Sequence, residues 1–373
     1  MRKIRKLALS VALSAGAVGL MFGVVSAAVL AGVGAQAPIA VTAPDSKDPA
    51  VAYGGGAIHA VWVESDTIMY SQKVGSASWT PPVSVTGGTD PTLAIDRNGR
   101  PHVALTDFFS PTYNVYHTYL SATWQLRQLV SNGTSNTSAP DIAVAPDGTL
   151  YLVWSEQVAL NTKQIKLSES TNDGASWPTV GPIPNAEGNA PKIAVGTDNA
   201  AHVVWQDAVA PYRIKHTERS TSTWSLPAAL SDAAVSSFAP DVASSGGKAH
   251  VVWQQSSSIR YAHGAKLLWS TPVTLSTGSA SEPSIAANGQ GALVAAWDSG
   301  TSITLRMGGP GGWGTTQALG AHGSGVGHVD LASGPAGWVH AVFAAGASGS
   351  RDIWYNSFST KAVYLPALMK NAP

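Results

Sequence analysis

The chain has 373 residues and a formal net charge of +0, with charged residues making up only 12% of it. At 44% hydrophobic it is too apolar for a disordered polymer, and frequent Gly (38) and Pro (23), with Trp (13) outnumbering Phe (6), suit many short strands joined by tight turns. There is no cysteine, so a disulfide framework is excluded and strand pairing around a buried core must hold the fold.

The chain opens with Met1-Arg-Lys-Ile-Arg-Lys6, followed by an Ala/Val/Leu/Gly run from Leu7 to about Val33 and an A-x-A site at Ala35-Gln36-Ala37. This predicts a secretory signal over residues 1–37 and a secreted, extracytoplasmic protein. If the segment is not cleaved, it would instead anchor the chain to a membrane. Cleavage removes Arg2, Lys3, Arg5 and Lys6 but no acid, which takes the net charge from +0 to −4. A mildly acidic surface argues against nucleic acid as a partner.

From residue 38 onward the chain repeats itself. The anchor is Pro-x-(Ile/Val/Leu)-Ala, at Pro49, Pro91, Pro140, Pro191, Pro240 and Pro283, with a seventh copy, Val329-Asp-Leu-Ala332, lacking the proline. A period of 40 to 50 residues without helical periodicity points to a propeller. Each anchor precedes a turn pair such as Asn98-Gly99 or Gly246-Gly247, then a second strand such as His202-Val-Val-Trp205 or His250-Val-Val-Trp253. A short third strand follows, as in Ile259-Arg-Tyr261, and then a Trp (79, 124, 177, 224, 269 or 313) that opens a fourth.

Four antiparallel strands in each of seven repeats predict an all-β, seven-bladed β-propeller of four-stranded blades over residues 38–360. The seventh repeat has no Trp-plus-fourth-strand segment. Pro38-Ile-Ala-Val-Thr42 matches Pro82-Val-Ser-Val-Thr86, so residues 38–43 are expected to complete the last blade beside 352–358. Residues 361–373 form a C-terminal tail with no assigned role.

In the third repeat, Ser170-Thr-Asn-Asp-Gly-Ala-Ser-Trp177 resembles the Asp-box, or bacterial neuraminidase repeat, of sialidase-like propellers. Ser170, Gly174 and Trp177 match its Ser-x-Asp-x-Gly-x-Thr-Trp pattern, whereas Asn172 stands for Asp and Ser176 for Thr. The resemblance implies a structural hairpin rather than a site of chemistry. It also implies what a sialidase would need: three arginines for a carboxylate, a Tyr nucleophile with its Glu, and an acid/base Asp. The family's Phe/Tyr-Arg-Ile-Pro motif is missing near the mature N-terminus.

Arg213, Arg260 and Arg351 fall near second-to-third-strand loops, enough in number for a triad but supported by no motif. The same loops carry Glu64, Asp107, Glu156, Asp207 and Asp298, and first strands begin with Asp48, Asp90, Asp141, Asp241, Glu282 and Asp330. Two readings of these acids remain open. They could form a polar channel mouth that holds a sugar or cation together with neighbouring aromatics, or they could be solvated loop residues copied with the repeat. His59, His102, His202, His250 and His340 occupy equivalent positions in different repeats and cannot converge on one ion, so no metal and no cofactor is expected. The second-strand Trp set reads as core between repeats. The leading expectation is a non-catalytic, monomeric binding module for a glycan or an extracellular protein, and the alternative is a sialidase-like glycoside hydrolase with diverged catalytic residues.

Overall fold

A computed structural model describes residues 28–33, 36–41 and 44–362, apart from 221, 277, 289–290 and 322–324. Most of the expected signal and the tail from 363 lie outside the described residues, as do residues 42 and 43 of the expected closing strand. Among the described residues no helix is long and apolar enough to cross a membrane.

The fold is all-β and propeller-like, and it departs from the seven separate four-stranded blades expected. The strands hydrogen-bond into six sheets. Five of these are separate blades of four or five strands, and the sixth is a continuous seven-stranded sheet. The cause is the 17-residue strand Thr179–Val195. Its first half pairs with Thr162–Ser170 of the third repeat and its second half with Ala201–Asp207 of the fourth, so no break separates the two. Only two sheets keep four strands, because elsewhere the fourth strand is split, as in Leu268–Trp269 and Val273–Thr274, or a further strand is added.

The added strands lie at the termini. Ala37–Ala40 pairs with the last strand, Asp352–Ala362, through Ala37↔Tyr355 and Ala40↔Ile353. Ala28–Val33 pairs with the far end of the same strand, from Ala28↔Ala362 to Val33↔Phe358. The first and last described segments therefore share one sheet, which protects its outer edge.

Second strands such as Ala57–Glu64 are buried along their whole length, since both faces of each sheet are covered by neighbours. Trp62, Trp154, Trp205, Trp253, Trp297 and Phe343 are fully enclosed there, as core between sheets. A second aromatic system runs farther out. In five repeats a third-strand Tyr or His meets the fourth-strand Trp of the next repeat edge-on: Tyr70–Trp124, His117–Trp177, His216–Trp269, Tyr261–Trp313 and, closing the ring, Tyr355–Trp79. The ring centroids lie 4.7–5.2 Å apart, which is favourable edge-to-face geometry.

The second-strand histidines supply the polar partners of this system. His59, His250 and His340 are hydrogen-bonded through Nδ1 to the hydroxyls of Tyr70, Tyr261 and Tyr355 at 2.8–2.9 Å. Burial pushes the imidazoles of His250 and His340 down to about 4, so both stay neutral.

Candidate functional site

Each first strand begins with a bulge. The register shifts between Lys47 and Ala50, Thr89 and Thr92, Ser138 and Asp141, and at the four equivalent points. The bulge residues Asp48, Asp90, Ala139, Ala190, Ala239, Glu282 and His328 all adopt φ of 46–51°. A non-glycine residue in this left-handed region is strained, and bulges of this kind re-aim side chains beside functional sites. Here the bulge residue and the residue after the proline both line one central cavity of ≈ 470 Å³, to which all seven repeats contribute.

Deeper in the channel the variable anchor position reads Ala50, Thr92, Asp141, Lys192, Asp241, Ser284 and Asp330. Several of these side chains latch one repeat to the next. Asp141 accepts the Ile193 amide, Asp241 the Ile285 amide and Asp330 the Val51 amide, each at 2.8 Å, and Ser284 accepts the Leu331 amide at 3.2 Å. Thr92 donates to Asp141 at 2.9 Å.

Six carboxylates line this cavity against one lysine. Lys192 lies 3.6 Å from Asp141, which holds its ammonium protonated, and its side chain is 41% exposed. Burial, with Asp241 nearby, pushes the Asp330 carboxyl up to about 7. Asp241 and Asp90 are also raised by burial, Asp90 with help from Asp48. At the mouth His328 bridges two acids, with Nδ1 at 3.3 Å from Asp48 and Nε2 at 3.5 Å from Glu282.

The rim around this opening is lopsided. Antiparallel pairing sets the start of each first strand beside the second-to-third-strand loop of its own repeat. In repeats two to five these loops and strand starts expose Phe108, Phe109 (69%), Tyr113, Leu160 (86%), Val209 (72%) and Phe238. The polar bulge residues Glu282, His328, Asp48 and Asp90 come from repeats six, seven, one and two.

The acids expected on the loops have local duties instead. Glu64 accepts the Trp62 indole N–H at 2.7 Å, and Glu156 accepts that of Trp154 at 3.2 Å, so both serve the buried tryptophans. Asp107 pairs with Arg127 at 2.6 Å and Asp207 with Lys215 at 2.8 Å. Asp298 accepts the Gly300 amide at 2.6 Å, and burial raises its carboxyl. None of the five lines the cavity, which is built from the first-strand acids.

Nor do the three arginines line it. Arg213 donates to the Ser231 carbonyl, and Arg260 to the Pro272 carbonyl and the Thr274 hydroxyl. Arg351 grips Asp45 with two nitrogens at 3.0 and 2.6 Å, holding that carboxyl down at about 2. Each guanidinium is committed within its own neighbourhood.

The Asp-box-like hairpin is a self-contained brace. Asn172 Oδ1 accepts from the Ser170 hydroxyl at 2.8 Å and from the Ser176 amide at 3.0 Å, while Asn172 Nδ2 donates to the Ser176 hydroxyl. The Gly174 amide donates to Ser170 Oγ at 3.0 Å, and Trp177 packs edge-on to His117. Asn172 thus performs the bracing expected of Asp. Sequence reasoning did not single out Lys192 or His328. The signal for Lys192 was the variation inside an otherwise constant anchor, and for His328 the residue just before that anchor.

No family model and no curated sequence matches this chain. Solved structures do. An ulvan lyase of polysaccharide lyase family PL25 is 10% identical with a TM-score of 0.60, over 86% of this chain and 95% of its own. A fungal alcohol oxidase of the AA5 family, solved with copper, is 11% identical with a TM-score of 0.59, over 89% and 76%. A Hadza microbial sialidase is 14% identical with a TM-score of 0.51, over 83% and 74%. At such identities the likeness is one of fold, and three different chemistries share it.

Proposed function

We propose that this protein is an exported, non-catalytic binding module that takes a glycan at the bulged mouth of its central channel. One observation carries the reading: exposed aromatic and apolar side chains sit on loops and strand starts that lie next to the bulges bordering the channel carboxylates. A saccharide has an apolar C–H face that stacks on rings such as Phe109 and Phe238, and hydroxyls that donate to carboxylates. A cavity of ≈ 470 Å³ is of ligand-binding size. The basic-then-apolar leader supports export, and the dispersed arginines argue against a carboxylate-gripping hydrolase.

The test is glycan-array binding followed by calorimetry on Phe109→Ala, Phe238→Ala and Asp241→Asn, with a fluorogenic sialoside and anionic polysaccharides assayed in parallel. Binding weakened about tenfold or more in these variants, with no turnover, is the expected result. Turnover abolished by Arg213→Ala or Arg260→Ala would establish the hydrolase instead. An array without hits, alongside capture of an extracellular protein through the same rim, would replace the glycan with a protein partner.

A further inference from the structure

Three electron-pair donors converge in the fourth repeat, on one face of its second and third strands. His202 Nδ1 lies 3.1 Å from His216 Nε2 and 3.6 Å from Glu218 Oε2, and the three ligand atoms all lie within 4.8 Å of one another. All three residues are buried. Strand pairing sets this up: His202 is directly opposite Glu218 and Val204 opposite His216, so all three functional side chains share one face of the sheet.

The other repeats show what is special here. At the position of His216, repeats one, five and seven carry Tyr70, Tyr261 and Tyr355, whose hydroxyls bond the second-strand His. Packing against the next Trp is the same for Tyr and for His216. The second repeat also has a His pair, His102 and His117 at 3.1 Å, but Tyr119 occupies the place of Glu218. Its carboxylate, Asp96, lies on the far nitrogen of His102 and is paired with Arg100. Among the described residues, only the fourth repeat brings two imidazole nitrogens and a carboxylate together.

Two facing imidazole nitrogens 3.1 Å apart can share one proton between them. The carboxylate oxygen Glu218 Oε2 stands beside His202 Nδ1 as a third donor atom, and it accepts the Lys266 amide as well. Among the described residues the far nitrogens, His202 Nε2 and His216 Nδ1, have no hydrogen-bond partner, so no second hydrogen bond fixes either tautomer. Tetrahedral Zn²⁺ with ligands at about 2.0–2.1 Å spaces its donor atoms about 3.3 Å apart, between the two separations seen here.

We propose that His202, His216 and Glu218 bind one divalent transition-metal ion of the Zn²⁺ class, with a fourth position left for water. Two imidazoles and a carboxylate suit Zn²⁺ and reject Mg²⁺ and Ca²⁺, which favour all-oxygen cages. The ion ties the fourth repeat to the fifth, because Glu218 also accepts the Lys266 amide at 2.9 Å and His216 packs on Trp269. Metal binding therefore raises the unfolding temperature of the native chain.

The experiment strips the full-length protein with a chelator, then titrates Zn²⁺ and, as a spectroscopic probe, Co²⁺. Expected are one ion per chain, tetrahedral Co²⁺ absorption and a higher melting temperature. His216→Tyr restores the pair used by three other repeats and keeps the Trp269 contact, and Glu218→Gln removes only the charge. Both variants should fold and lose affinity at least tenfold, while His117→Tyr binds as the wild type does. Absence of stoichiometric uptake by the wild type, uptake unchanged in both fourth-repeat variants, or uptake lost equally in His117→Tyr would overturn the assignment.

Discussion

Asp330 Oδ2 accepts the backbone amide of Val51 at 2.8 Å, joining the last first strand to the first across 279 residues. The same latch recurs from Asp141 to Ile193 and from Asp241 to Ile285, so channel acids hold neighbouring repeats together as well as lining the cavity. Asp330→Ala leaves the Val51 amide without its acceptor. The expected loss is about 1–3 kcal/mol, the cost of leaving a buried donor without its acceptor. Asp141→Ala should cost more, because Thr92 and Lys192 lose a partner along with the Ile193 amide. Chemical unfolding midpoints check this; an Asp330→Ala midpoint equal to wild type would remove the latch from the account of stability.

Protonation acts in two directions between pH 4 and 7. Burial depresses the imidazoles of His59, His102, His117, His202, His216, His250 and His340, so the unfolded chain binds more protons there, and stability is lost as pH falls from about 6.5 towards 4. Asp330, raised from 3.8 to about 7, binds its proton more tightly when folded and stabilises as pH falls through the same window. The histidines outnumber the raised aspartates, so the wild-type melting temperature should drop from pH 7 to pH 5. Asp330→Asn removes the opposing contribution and should make that drop steeper. Parallel melting profiles for the two proteins would sink this assignment of Asp330.

What could be read from the sequence follows the repeat, and what could not follows its interruptions. The anchor at Pro49, Pro91 and their successors marked every first strand, and Pro38 showed where the N-terminal segment would pair. The fusion of the third and fourth repeats was not readable, because Thr179–Val195 contains Pro182, Pro184 and Pro191, residues that normally signal a break in a strand. The mouth acids Asp48 and Glu282 are visible in the sequence as a series. Their convergence depends on bulges at φ near 50°, which residue types such as Asp48, Ala139 and His328 do not announce. Glu64 and Glu156 looked like loop ligands because a tryptophan two residues earlier gives no hint that its indole turns back to them.

That last relationship separates stability from binding. Glu64→Ala strands the fully buried Trp62 indole N–H and the Ser46 side chain loses a partner, so a loss of about 1–3 kcal/mol is expected. Glycan affinity at the channel mouth should stay within about twofold, since Glu64 does not line the cavity. Differential scanning fluorimetry and calorimetry on one preparation give both numbers. Weakened binding at unchanged stability would return Glu64 to the ligand site.

The Gly174 hairpin offers the sharpest test of how the repeats interlock. Gly174 sits at φ 78°, where a side chain is strained, and a Cβ placed there would stand 2.5 Å from His117 Cε1. Gly174→Ala must therefore push His117 off its edge-on contact with Trp177, or unfold the turn braced by Ser170 and Asn172. Either response costs more than the roughly 1 kcal/mol of unfavourable φ alone, and about 2–4 kcal/mol is expected. Asn172→Ala removes bonds to Ser170 and Ser176 but leaves the Gly174 backbone and the His117–Trp177 contact in place, and should cost only about 1 kcal/mol. The order of the two losses is the discriminating result. If Asn172→Ala proves the more damaging, the hairpin is held by its own hydrogen bonds and its fit against His117 contributes little.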